Sequence, residues 1–179
     1  MPHHRALTLA AACTAAVLMA GGAQAASVTV TMYRTTANGP GEDIGTIVFQ
    51  DTARGLKIMP NLRGLTEGEH GFHVHEYPSC AAKEKDGKMV PGLAAGGHYD
   101  PAKTGKHEGP DGKGHLGDLP VLYVNAGGTA IRWSVAPRLK TADLAGRSIV
   151  IHAGGDNYSD TPAPLGGGGA RVACGVVVY

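Results

Sequence analysis

Ser27-Val28-Thr29-Val30-Thr31-Met32-Tyr33 alternates polar and apolar positions and is rich in β-branched residues, so it reads as a strand. Working outward, Asn38-Gly39-Pro40-Gly41 breaks it, and Ile44 to Phe49 reads as a second strand. Asp51 to Gly55 turns the chain into a third, Leu56-Lys57-Ile58-Met59-Pro60. His70-Gly71-Phe72-His73-Val74-His75-Glu76 is a fourth. Leu119 to Val124 and Ala130 to Val135 are joined by Asn125-Ala126-Gly127-Gly128, which predicts a hairpin. Lys140 to Ala145 reads as one helical turn, Ser148 to His152 as a seventh strand and Arg171 to Tyr179 as an eighth. Two segments stay irregular: 77–117, dense in Gly and Pro, and Ala153 to Ala170, with four successive Gly at 166–169. The expectation is an all-β chain, one eight-stranded β-sandwich or barrel with two long functional loops.

Composition agrees. The 179 residues include 28 Gly, and 42% hydrophobic residues are enough for a core. Sixteen Lys+Arg against 15 Asp+Glu leave a net charge of +1, which excludes a strongly basic nucleic-acid surface. No phosphate-binding loop and no nucleophile triad is present.

The first 25 residues stand apart. Arg5 precedes an apolar run from Ala6 to Ala20, and Ala23-Gln24-Ala25 supplies a small-residue cleavage site, the layout of a secretory signal peptide. A spanning helix needs about 20 apolar residues, more than this run offers, so no membrane contact is expected after cleavage. A lipid anchor through Cys13 is a minor alternative. The expected mature domain is 26–179, exported to the periplasm. It keeps Cys80 and Cys174, and an even pair in an exported chain reads as a disulfide rather than two free thiols.

Histidine carries the chemistry. His73 and His75 sit two apart on a predicted strand and so share a face. The long loop adds His98, His107 and His115, with Asp118 just beyond it. Three imidazoles and one carboxylate form a closed four-ligand set suited to zinc. His152 ends the seventh strand. Two four-coordinate sites need eight donor positions and these residues supply seven, which invites one shared imidazole. A second site made of nitrogen alone suits copper. A segment of about 40 residues without regular structure is uncommon unless something other than a core organises it, and metal ligation with a disulfide would do so.

These residues match a family. Gly71-Phe72-His73-Val74-His75-Glu76, Gly96-Gly97-His98-Tyr99-Asp100-Pro101, His115-Leu116-Gly117-Asp118-Leu119-Pro120, Ile151 through Asp160, and Gly166 through Val176 follow in order. The chain resembles the copper/zinc superoxide dismutases in their exported bacterial form, over essentially all of 27–179. The resemblance implies a Greek-key β-barrel of eight strands. It implies copper held by His73, His75, His98 and His152, and zinc by His98, His107, His115 and Asp118, with His98 as the bridge. It further implies a Cys80–Cys174 disulfide, Arg171 as the active-site arginine and Asp156 as the carboxylate linking ligands of the two metals. His70 corresponds to a family histidine that binds no metal.

The implied reaction turns superoxide, a small anionic substrate, into oxygen and hydrogen peroxide by Cu(II)/Cu(I) cycling, with His98 carrying a proton. The 153–170 loop has no Lys, unlike that of eukaryotic relatives, so Lys83, Lys85 and Lys88 are the expected steering charges. The runner-up is a periplasmic copper and zinc binding or buffering protein without turnover, which would have no use for Arg171. A zinc hydrolase needs an open zinc position, and four protein ligands close this one. The family resemblance allows either a monomer or a homodimer.

Overall fold

A computed structural model describes Met1 and residues 25–179; the expected signal segment lies outside the described residues but for its two ends. The strands are β1 (Ser27–Thr36), β2 (Gly39–Thr52), β3 (Gly55–Leu62), β4 (Gly68–His70), β5 (Phe72–His75), β6 (Lys83–Lys85), β7 (Lys88–Val90), β8 (Leu122–Val124), β9 (Ser134–Ala136), β10 (Ser148–His152) and β11 (Arg171–Val176). Seven form one antiparallel sheet in the order β5-β10-β11-β1-β2-β3-β9. β11 thus returns to lie beside β1, the Greek-key closure. A two-stranded sheet, β4 with β8, completes the curled barrel wall, and an isolated bridge between Leu62 and Ala130 ties it to β3.

The alternation in β1 does what the sequence says. Val28, Val30 and Met32 are buried, while Ser27, Thr29 and Tyr33 face outward. They pack with Ile47, Phe49, Leu56, Ile58, Phe72, Val74, Ile149 and Ile151 in one core. Each such side chain contributes about 1.5–3 kcal/mol by leaving water. Thr141–Leu144 forms the expected helical turn, a 3-10 turn whose Asp143 carboxylate accepts the Lys140 N–H at 2.8 Å.

Three local features differ from the sequence reading. The fourth strand is two, β4 and β5, divided at Gly71, whose N–H and carbonyl are taken by Gly154 and His152. The hairpin expected over 119–135 does not form: the turn at Asn125 is there, but β8 pairs with β4 and β9 with β3. The physical reason lies in 131–133, where Ile131, Arg132 and Trp133 are all exposed and only Ala130 and Ala136 face inward. The chain is crossing between sheets there, not alternating. A small hairpin, β6–β7, also stands inside the first long loop, closed by Asp86 and Gly87, both at positive φ.

What positions the site is the free edge of β5. β10 occupies one edge of that strand, and the other takes up the long loop as a template. Isolated bridges set His98 opposite His75 and Asp118 opposite His73. Val74 accepts from Tyr99 N–H at 2.8 Å and donates to Gly117 at 2.9 Å, and Leu119 N–H reaches the Phe72 carbonyl at 3.2 Å. Phe72 and Val74 point into the core, so His73 and His75 face the loop instead.

Candidate metal centre

His73, His75, His98, His107, His115, His152 and Asp118 are all buried and gather at this edge. One donor atom from each of His73, His75, His98 and His152 lies within 4.8 Å of the others. A second group that closes within 4.8 Å consists of His73, His98, His107 and Asp118. His115 reaches that side through the carboxylate, its Nδ1 being 3.4 Å from Asp118 Oδ1. His73 enters because its ring stacks on that of His98, with centroids 3.8 Å apart.

Hydrogen bonds outside the cluster fix which ring nitrogen is left free. His73 Nε2 donates to Asp156 Oδ2 at 2.8 Å, leaving Nδ1 as a buried lone pair without a partner. His75 Nδ1 donates to the Gly96 carbonyl at 3.0 Å, and His152 Nδ1 to that of Gly169 at 3.1 Å. Their Nε2 atoms then face each other at 3.4 Å. His98 Nδ1 lies 2.9 Å from Asp118 Oδ1, while its Nε2 is buried without a partner. His107 Nδ1 is 3.0 Å from Asp118 Oδ2 and has no well-aligned hydrogen bond, while its Nε2 donates to Asp156 Oδ1 at 2.7 Å. Buried polar atoms ordinarily have partners. Several imidazole lone pairs converging on a dry space, with a carboxylate at one end, are the donor set that copper and zinc ions satisfy.

Protonation fits the same picture. Burial pushes His73 down to about 3 and His152 down to about 4, and holds His75 well below the usual imidazole range. These rings are therefore neutral, as metal ligands must be. His107 differs: burial opposes its charge, but the bonds to Asp118 and Asp156 outweigh it and raise it to about 9. Burial likewise works against the charge of Asp118 and Asp156, yet their histidine partners hold both carboxyls well below the ordinary range.

Asp156 ties the two groups together, one oxygen on His73 and the other on His107, and Tyr158 N–H adds a third bond at 2.8 Å. Gly166 makes room for it: a Cβ there would fall on Asp156 Oδ1, and its φ of +71° already favours glycine. Arg171 begins β11 and is held by two loop carbonyls, Gly92 at 2.6 Å from Nη1 and Gly96 at 2.5 Å from Nη2. Cys80 and Cys174 form a disulfide, so β11 is bonded covalently to the loop that holds Arg171. His70 lies outside the donor set, between the carbonyls of Thr66 at 2.9 Å and His152 at 2.7 Å.

The family model described as "Copper/zinc superoxide dismutase (SODC)" matches residues 44–177. The chain belongs to the copper/zinc superoxide dismutase family. A superoxide dismutase [Cu-Zn] of Brucella abortus biovar 1 (strain 9-941) is 58% identical over 162 residues, 90% of this chain and 94% of that one. The enzyme of the same name from Escherichia coli (strain K12) is 52% identical over 163 residues, covering 90% and 94%. Among solved structures, the Cu/Zn superoxide dismutase from Brucella abortus is 57% identical with a TM-score of 0.84, covering 86% of this chain and all of that one. One from Salmonella enterica, described as monomeric, is 56% identical with a TM-score of 0.77, over the same shares. The superoxide dismutase fold, the disulfide and the histidine groups agree. The chain is an oxidoreductase acting on superoxide, with copper and zinc as its cofactors.

Some residues of this dismutase site were not legible in the sequence. Asp160 accepts the His107 N–H at 2.8 Å and the Leu165 N–H at 3.1 Å, pinning the second loop onto the first. Nothing in its spacing announces that. The β6–β7 hairpin did leave a signal, Asp86-Gly87 between lysines.

Proposed function

We propose that superoxide is disproportionated at one end of the centre, with His73, His75, His98 and His152 holding copper. His98, His107, His115 and Asp118 hold zinc, and His98 is shared. The observation that carries this division is the orientation of His98. Its Nδ1 faces Asp118, and its unpartnered Nε2 is left for the all-histidine group. When bound, copper supplies one-electron chemistry, and the net reaction takes two superoxide ions and two protons to one oxygen and one hydrogen peroxide.

The chain's own groups do the rest. Arg171 attracts the anion and orients it through N–H donors that its two carbonyl bonds leave free. His98 holds a proton at Nε2 in the half-reaction that forms peroxide and passes it to the departing product. Asp156 keeps His73 and His107 in the tautomers that leave Nδ1 of each toward the metals. Residues 1–25 act as a secretory signal, and the domain from 26 works in the periplasm, where the Cys80–Cys174 bond persists.

The test is superoxide consumption by residues 26–179 loaded with copper and zinc. A rapid, copper-dependent rate is expected. A negligible rate with both metals bound would leave metal buffering as the reading.

A further inference from the structure

Arg138 follows β9 and sits between two buried residues, Ala136 and Leu139. It forms no ion pair among the described residues, and its partners are backbone carbonyls of a single segment. Nε donates to Pro110 at 2.9 Å, Nη1 to Gly114 at 3.1 Å, and Nη2 to Gly109 at 3.2 Å and to His115 at 2.5 Å. That segment has neither strand nor helix, and it is the connection between His107 and His115. The His115 carbonyl is itself one of the four acceptors.

Four carbonyls converging on one point repel one another unless a cation stands there. A guanidinium carries five N–H groups in a rigid planar fork, so it can bond to all four at once. A lysine ammonium, with three donors on a flexible stem, cannot reproduce that pattern. The anchor is firm because β9 is paired to β3, with Ala136 opposite Leu56. Inside the loop, the His115 N–H to Lys106 carbonyl bond at 2.8 Å closes the turn from the other side.

We propose that Arg138 is a positioning residue for the zinc end of the centre. It gathers the 109–115 carbonyls so that His107 and His115 are presented to Asp118 before the ion arrives. This rests on the reading of His98, His107, His115 and Asp118 as the zinc donors. It adds a residue that touches no donor side chain and acts from the turn after β9. Groups that orient metal ligands from outside typically change metal affinity 10–100-fold when removed.

The experiment is zinc chloride titration against a competing chelator for the copper-free wild type, Arg138→Ala and Arg138→Lys, with urea unfolding of each protein metal-free and zinc-loaded. The expected result is zinc affinity weakened about tenfold or more in Arg138→Ala and by an intermediate factor in Arg138→Lys. The stability gained on adding zinc shrinks in step. Unchanged affinity in both variants overturns the proposal. So does an equal loss of stability in the metal-free and zinc-loaded forms, which marks an arginine that only braces the fold. If Arg138→Ala does not fold, Arg138→Lys carries the same comparison. A wild type that binds no zinc refutes the donor reading, and the role of Arg138 with it. A wild type that binds zinc beside variants that bind it equally well refutes the role of Arg138 alone.

Discussion

His75 and Arg171 donate to the same acceptor, the carbonyl oxygen of Gly96, through Nδ1 at 3.0 Å and Nη2 at 2.5 Å. One peptide group therefore fixes both the ring plane of a proposed copper ligand and the guanidinium proposed to receive the substrate. Gly96 sits at φ +81° and ψ −158°, a backbone conformation that side chains rarely adopt, and a Cβ there would press on Glu76 Oε2 and the Tyr77 ring, each at 2.6 Å. The Glu76 carboxylate takes the Gly97 N–H at 2.7 Å and keeps that turn against β5.

Arg171→Lys keeps the charge but loses the fork that spans Gly92 and Gly96. A charge-assisted hydrogen bond is worth about 1.5–3 kcal/mol, and about 1.4 kcal/mol is a factor of ten in rate. We expect kcat/KM to fall about tenfold in Arg171→Lys and further in Arg171→Ala, at unchanged copper and zinc content. Three equal rates at matched metal content would remove Arg171 from the reaction.

Asp156→Asn replaces a two-sided acceptor with a group that can accept on one side only. His73 and His107 could then not both be held. Zinc affinity in chelator competition should drop roughly 10–100-fold. Gly166→Ala should act in the same direction, because the added methyl displaces the same carboxylate. Wild-type zinc affinity in Asp156→Asn would sink the linking role.

How far the sequence reached depends on the kind of contact. β1 was legible because its alternation is its burial pattern, Val28, Val30 and Met32 inward. The ligand candidates were legible because side-chain chemistry and spacing announce them. The 119–135 hairpin expected from the sequence does not form, because a good turn at Asn125–Gly128 says nothing about which strand lies beside each arm. Arg138 was invisible for a further reason: its partners are carbonyls, which every residue has, and no side-chain pattern marks them.

The Cys80–Cys174 bond joins β11 to the loop that carries Gly92 and Gly96. Reducing it under conditions that leave the protein folded should free that loop and lower activity through Arg171. Circular dichroism establishes folding, and the rate is then compared at equal metal content. Equal activity in reduced, folded protein would confine the disulfide to stability.

Lys83, Lys85 and Lys88 flank the β6–β7 turn, and all three are exposed. The acids of the second loop are occupied, Asp156 by two histidines and Asp160 by the His107 and Leu165 N–H groups. If the lysines steer the anion, the wild-type rate falls with ionic strength, and a triple Lys→Ala variant is slower and less sensitive to salt. Two rates with the same shallow salt dependence would exclude steering from this hairpin.

Acid should unfold the metal-free protein by way of its buried histidines. In the unfolded chain they titrate near 6.5. In the folded protein burial pushes His73 to about 3 and His152 to about 4, with His75 and His98 also lowered. Below 6.5 the unfolded state therefore binds protons that the folded state refuses, and stability falls as pH drops toward those values. His107 runs the other way: raised to about 9, it contributes stability fully present below 6.5 and lost as pH rises through 9. Below 6.5 the His107 contribution is constant, so the four lowered histidines set the slope in the acid window. Asp118 and Asp156 add their loss only further down, below the ordinary carboxylate range. The urea midpoint of the metal-free protein should thus fall steadily from pH 6.5 to pH 4.5, and a flat midpoint there would show that these rings are not held neutral. The raised His107 has a second consequence at pH 7.5. As a proposed zinc donor it is protonated before zinc binds and neutral afterward, so zinc uptake should release about one proton. Calorimetry in buffers of different ionisation enthalpy measures that proton directly.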